Sequence, residues 1–524
     1  MNSSSPSKIM AAGDKPGRTR RFGRWVWRRV WSRGMAWTLV VLVSLIVLYY
    51  RFENWRSARE LTVARKRMIE RLGTDTLEVY AAPRIPDEQN YFCIPVIQSW
   101  AVPHPKDLSP FSGYATPEDL IPKDFILPEI KGEDGGDRMD LKGWAEKRAA
   151  AGKPLAPGES AAQVMDRELG DAHGILTQLV SGLDRPYCCF KPGQRESIDA
   201  AGGDAWQMKI PSVTRLNQFW RALALHFRVA ARAGNARKAQ DTAMVALRFC
   251  EGSASWGCLI SSLVAMAGNG LTFLPLNDAL ACPIWDDASL TRLQRQLAKT
   301  DDLETVEHAL GDQVIWGYEC GLWMRNERGH AREWDIFGIS HYESPPWWVR
   351  LGAIAQRMVI QYGPIGWHDA NIAYFTNGTL EMIGPNGDLN WLDAYARCNK
   401  IQEAARRNHS GWRALNPRTS IGAYAVPSLG NIYGTAALCL FQRRSLIIAC
   451  ALERYRITHG AFPPSLAEVA GELKAYRVND PARPDQPLGY RLEEKGYLLW
   501  SAGKDAKDDG GDPEKDWLWR MTRD

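Results

Sequence analysis

Near the end of this 524-residue chain, SAGKDAKDDGGDPEKDW (Ser501 to Trp517) places six acidic side chains around Gly510 and Gly511, directly after the apolar run Tyr497, Leu498, Leu499 and Trp500. Like charges that close together have two readings. One is a solvated acidic turn balanced by Lys504, Lys507 and Lys515; the other is a loop that holds a hard cation. Ca²⁺ takes six to eight oxygens, and glycines let backbone carbonyls turn inward to supply some of them. Asp505 to Asp516 has the twelve-residue length of an EF-hand loop with Gly510 at its sixth position. Lys507 nevertheless occupies a ligand position and a strand precedes the loop, so the EF-hand reading fails.

Other reactive side chains cluster less usefully. His330, Glu333, Asp335, His341 and Glu343 fall within fourteen residues, but the spacing is neither HExxH nor its inverse, so no helix face would present them together. His368, Asp369 and Asn371 contain a base and an orienter, yet adjacent residues on a helix or strand do not face each other, and no Ser or Cys elbow accompanies them. Trp347, Trp348, Trp367 and Trp391 have the chemistry of a sugar-stacking platform; filling irregular structure with apolar area is the plainer use of Trp. The chain has no P-loop, no GxGxxG followed by a correctly spaced acid, and no GxSxG.

These groups must be carried by something, and the chain's charge shows how it is divided. The formal net charge is +5, but residues 1–34 carry nine Lys or Arg against Asp14 alone, a local +8 that leaves −3 for the rest. The basic tail runs into AWTLVVLVSLIVLYY (Ala36 to Tyr50), which has no charge and has Trp37, Tyr49 and Tyr50 where interfacial aromatics belong. No A-x-A cleavage site follows it, so residues 35–50 read as a single-pass signal anchor. The cationic flank predicts a cytoplasmic N-terminus and an exported remainder. Membrane lipid is then the partner of residues 35–50 and of the basic tail; a nucleic-acid partner is not expected. Ten cysteines are too few for a disulfide scaffold; Cys250 with Cys258 is the best candidate bridge.

Beyond the anchor, Glu53 to Gly73 has the composition of a juxtamembrane helix within a segment of residues 51–100. Residues 101–158 are rich in Pro, Gly and charge and read as irregular. Residues 159–318 carry helical periodicity: a hairpin of Ser212 to Ala233 and Ala236 to Cys250, then Trp256 to Ala281 as a buried helix pair broken at Gly268, Asn269, Gly270 and Pro275. Asp287 or Ser289 caps the next helix, and another runs from Leu303 to Val314. A bundle or solenoid-like layer follows, with a surface for a protein partner. Residues 319–440 are Trp-rich, irregular and helical.

In residues 441–524, a helix ends near Gly460, Ser465 and Glu468 form a capping box, and strands run from Leu488 to Leu492 and Tyr497 to Ser501. The motifs ALERYRITHGAFPPSL, Asp480-Pro481, PLGYRL, GYLLWSAGKD and the terminal DW, in this order, resemble the C-terminal half of the major pseudopilin of type II secretion systems over roughly 80 residues. That resemblance implies Ca²⁺ as a structural cofactor in the acidic loop. It implies Asp505 and Asp516 as ligands, carbonyl oxygens near Leu499 and Ser501, and Asp509 and Asp512 as further members. No prepilin-peptidase motif opens the chain, and the anchor lies far from the matching helix, so a pilus-shaft role does not carry over. The order of anchor, PDEQNYF (Pro86 to Phe92), helical middle and pseudopilin-like end also resembles membrane-anchored bacterial proteins without an assigned activity.

The expected architecture is therefore mainly α: one transmembrane helix, an extracytoplasmic bundle or solenoid-like domain, and a small C-terminal α+β pseudopilin-like module. The expected role is non-enzymatic binding or scaffolding. Two rivals are an exported hydrolase or carbohydrate-active enzyme using His330, Glu333 and His341 beside the Trp-rich loops, and an accessory component of a type II secretion-like system.

Overall fold

A computed structural model describes residues 33–77, 85–97, 120–133, 136–171, 174–189, 213–255, 259–328, 360–384, 390–408, 416–426 and 431–523, with 354, 357, 358, 410 and 413 between them. The anchor and the juxtamembrane helix are one element, α1 (Arg33–Leu72), of 40 residues. Nothing between Met35 and Leu72 is Gly or Pro, so no backbone hydrogen bond of the ladder is lost. Gly73 ends it at φ +79°, donating to the Ile69 carbonyl at 2.9 Å. Residues 34–52 are exposed all round, about 28 Å of helix at the α-helical rise. From Glu53 onward, Ser57, Ala64 and Met68 are buried at helical spacing, so the same helix becomes one-sided.

Two short antiparallel strands, β1 (Ile130–Glu133) and β2 (Gly136–Met139), and α2 (Leu141–Ala150) follow. They correct the expectation of wholly irregular chain over 101–158; residues 101–119 lie outside the described residues. Trp144 of α2 is buried and its indole N–H donates to the Ile126 carbonyl at 2.6 Å, and it joins α3 (Ala161–Leu169), Leu225 and Val229 in a small hydrophobic cluster. α4 (Ile175–Ser181) leads to the hairpin α5 (Val213–Arg232) and α6 (Ala236–Ala254), closed at Gly234 (φ +79°) and capped by the Asn235 side chain on the Lys238 amide.

The expected helix pair over 256–281 is instead a single helix, α7 (Leu259–Leu280). Gly268 is there for close packing: a Cβ would sit 2.5 Å from the Trp220 ring of α5. Asn269 is buried and donates to Asp302 at 2.7 Å. The cap of α8 (Asp287–Leu297) is Asp286, in place of the expected Asp287 or Ser289, in a reciprocal box with Ser289. Asp301 caps α9 (Asp302–Asn326), which runs twelve residues past Val314.

α10 (Ile365–Met382) is the most extensive partner of α1. α11 (Trp391–Asn408), α12 (Ser420–Ala425) and the 28-residue α13 (Ile432–His459) complete the body. α13 crosses its middle, packing on α7, α8, α9 and α11. Among the described residues, three helices are long and apolar enough to cross a membrane. In their most apolar windows α1 is 0% buried, α7 67% and α13 78%.

Gly460, at φ +81°, ends α13 as expected. The Ser465 side chain makes no cap bond, however; a 3₁₀ turn (Leu466–Val469) and α14 (Ala470–Leu473) form instead of a boxed helix. β3 (Asn479–Asp480) pairs with β4 (Arg483–Pro487), and β5 (Gly489–Glu493), β6 (Gly496–Ser501) and β7 (Trp517–Thr522) form an antiparallel sheet with β6 central. Tyr497, Leu499, Trp519 and Met521 of this sheet share one hydrophobic core with α5, α6, α8 and α13. The nine described cysteines are free thiols; Cys250 is not bridged and lies against Thr272.

His226 of α5 is fully buried, and its Nε2–H donates to the Leu120 carbonyl at 2.8 Å. Burial holds its pKa down at about 4. Between there and 6.5, the unfolded chain binds a proton that the folded chain does not, so stability falls as pH drops through that window. His226→Gln, which keeps the donor, is expected to remove up to about 3 kcal/mol of that pH dependence, read as the difference in denaturation midpoint between pH 7 and pH 4.5.

Candidate functional site

The acidic loop between β6 and β7 is built around a buried carboxylate upstream of it. Asp480 of β3 is fully buried; its Oδ1 accepts from Ser501 Oγ at 2.5 Å and from the Ala482 amide at 2.9 Å, and its Oδ2 accepts from the Ala502 amide at 3.1 Å. Arg483 adds a charge-assisted contact at 3.2 Å and reaches on to Asp508 at 3.1 Å. Asp508 Oδ1 also accepts from the Trp500 indole N–H at 2.8 Å, and this bond, ahead of the Gly510 amide and Arg483, holds its pKa below the usual carboxylate range. The loop thus leaves β6 clamped on both sides. Gly510 and Gly511, at φ +74° and +83°, make the turn that brings it back.

Asp516 closes the loop just before β7. It is 5% exposed, and its Oδ2 accepts from the amides of Gly511 at 2.7 Å and Asp512 at 3.2 Å. Its buried Oδ1 has no hydrogen-bond partner. An unpaired carboxylate oxygen out of water is costly. The other residues singled out from the sequence are placed differently. Asp505 is exposed, with Oδ1 on the Lys507 amide at 3.1 Å. Asp509 pairs with Lys515 at 3.0 Å, and Asp512 accepts from the Glu514 amide at 3.0 Å. Leu499 sits in the central strand opposite Tyr490 and Trp519, and the Ser501 hydroxyl is committed to Asp480. Among the described residues, no three Asp, Glu, His or Cys side chains converge as a metal-ligand group. The carboxylate oxygen left to a cation here is Asp516 Oδ1; the Gly510 carbonyl already accepts from Arg491 at 3.2 Å.

The remaining candidates divide in two. His330, Glu333, Asp335, His341, Glu343, Trp347 and Trp348 lie outside the described residues. His368, Asp369 and Asn371, on α10, are buried and committed to structure. His368 Nε2–H donates to the Ile360 carbonyl at 3.0 Å, and burial lowers its pKa. Asp369, raised by burial, pairs with Arg325 at 2.7 Å. The Asn371 amide bonds the Trp367 and Pro417 carbonyls, each at 2.7 Å, and its oxygen takes the Ile421 and Gly422 amides. This side chain ties α12 to α10. Trp391 is buried and stacks on Trp517 at 5.5 Å, so it holds β7 against α11 and offers no platform.

Two of the cavities among the described residues bear on the candidates. An apolar one of about 120 Å³ lies between α9, α10 and α12, with Trp316, Met324, Ile372 and Phe375 in its wall. A polar one of about 350 Å³ is bordered by Glu251, Lys299, Asp301, Glu304 and His308. Its acids already have partners: Glu251 with Arg248 and Gln296, Asp301 with the first amides of α9, and Glu304 with Arg477. His308 pairs with Asp312 at 3.2 Å, which raises its pKa. That is an ion-pair network closing helix ends.

No family model, no curated protein and no solved structure matches the chain.

The clamp residue Asp480 was visible in the sequence only as half of an Asp-Pro pair. Asp480→Ala is expected to cost about 2–4 kcal/mol, because it orphans buried donors, whereas Asp505→Ala is expected to change stability by less than about 0.5 kcal/mol in the absence of added cations. Denaturant titration of the two variants checks both values.

Proposed function

We propose that the chain is a membrane-anchored extracytoplasmic binding or scaffold protein whose C-terminal module is stabilised by a structural Ca²⁺. The observation that carries the anchor is the change in α1. Its first half is apolar and exposed on every side over residues 34–52, and its second half is one-sided against α10. Apolar surface of that extent has no stable place in water, and its length approaches the hydrocarbon thickness. α7 and α13 have comparable composition but spend it on the core. The basic tail supports a cytoplasmic N-terminus and a periplasmic body in a bacterial inner membrane.

The binding or scaffold reading is supported by how the polar groups are used. His368, Asp369 and the acids of the polar cavity are engaged in helix ties and ion pairs. Ca²⁺ is supported by the unpaired buried Oδ1 of Asp516 beside two glycines of left-handed backbone. A secretion-system accessory is the second reading, favoured by the succession of a long helix, a short helix and an antiparallel sheet in the segment that resembles pseudopilins.

The anchor is tested by alkaline carbonate extraction of bacterial membranes: the full chain is expected to stay with the pellet, and release of most of it would overturn the reading. Calorimetric Ca²⁺ titration of the full chain in detergent tests the cation. Saturable binding that raises the melting temperature, as linkage requires, and is lost in Asp516→Ala, is expected. No heat at millimolar Ca²⁺ would leave the loop a solvated turn.

A further inference from the structure

A second group of exposed apolar side chains lies where the anchor ends. Residues 354, 357–358 and 360–362 are helical, and Ile354, Met358 and Tyr362 stand four residues apart in the sequence, the spacing of one helix face. They are 56%, 54% and 55% exposed. Ile360, on the opposite side, is 3% exposed and packs on Trp323, Met324 and Ile421, so the stripe points away from the body. Its height relative to the anchor is fixed by a direct bond. The Tyr50 hydroxyl, at the end of the apolar run, donates to the Tyr362 carbonyl at 3.0 Å. Next to it on α1, Phe52 and Trp55 are more than half exposed and in ring contact at 6.2 Å. Arg51, Arg56 and Arg59 are exposed around them.

An apolar stripe, flanking aromatics and exposed cations at one level are the components of a surface lying in the lipid headgroup region. We propose that Ile354, Met358 and Tyr362 rest in the outer leaflet of the bilayer that α1 crosses, giving the body a second attachment beside the span. The proposal builds on the anchor reading above. The occupant is lipid because the Tyr362 end of the stripe is hydrogen-bonded to Tyr50, the last residue of the apolar run. A separate protein partner would have to dock at the level of the headgroups.

The test uses the full chain in nanodiscs of phosphatidylethanolamine and phosphatidylglycerol with a diazirine on the acyl chain, followed by photolysis and peptide mapping. Lipid adducts on both 34–52 and 354–362 are the expected result. In the double variant Ile354→Glu, Met358→Glu, adducts on 354–362 are expected to fall about tenfold, the factor that corresponds to about 1.4 kcal/mol, with those on 34–52 unchanged. Adducts on 34–52 alone would overturn this proposal and leave the anchor standing. Adducts on neither would overturn the anchor reading itself. The wild-type map decides between these outcomes even if the double variant fails to fold.

Discussion

The buried pair of Arg443 and Asp302 is the constraint around which the helical body is arranged. Arg443 projects from the middle of α13 and meets Asp302, in the first turn of α9, through two parallel bonds of 2.8 and 3.1 Å. Its third nitrogen takes the Leu297 carbonyl that ends α8, and its guanidinium lies 5.0 Å over the Phe273 ring of α7. Asn269 of α7 completes the shell of Asp302. Two charges out of water are tolerated only when every polar atom is matched in this way. Satisfying them fixes the register of four helices at one point. Hydrophobic packing alone is far less particular about a shift along a helix axis.

A similar logic joins the C-terminal sheet to the body. Trp517 and Trp391 stack across the seam between β7 and α11, and the inward residues of β6 and β7 enter the core beside α13. Asp480 then anchors the acidic loop to β6 through main-chain and hydroxyl donors, so the loop inherits its position from the sheet. The helix that ends at Gly460 and the two strands after it stand in the order read from the sequence.

How legible these features were depends on where their cause resides. The α5–α6 hairpin and the end of α13 at Gly460 depend on local composition, and the sequence reading found both; it read the helix α1 as two separate segments. The glycines of α7 were read as breaks because their reason sits elsewhere in the chain: Gly268 makes room for Trp220, a residue 48 positions earlier. The cap of α8 was misplaced because Asp286 and Asp287 are chemically equal and only backbone geometry separates them. Strand β7 was missed because its alternation, with Trp519 and Met521 inward, spans six residues at the chain's end. In the candidate loop, the cluster of acids was evident from spacing, but its division into exposed Asp505, paired Asp509 and buried Asp516 comes from the fold.

The unbroken course of α1 has a mechanical consequence. A helix of 40 residues is about 60 Å long, and its outer half is seated against α10 so closely that Gly366 has no room for a side chain over the Glu53 carbonyl. Arg418 also grips Glu53, Ser57 and Glu60. Under the proposed anchoring there is no swivel between the portion in lipid and the body. Each copy would stand at one fixed angle and turn only as a whole about the membrane normal. Neighbouring copies, or a partner confined to the same membrane, would then search for each other in two dimensions with most of the orientational freedom of free proteins already removed.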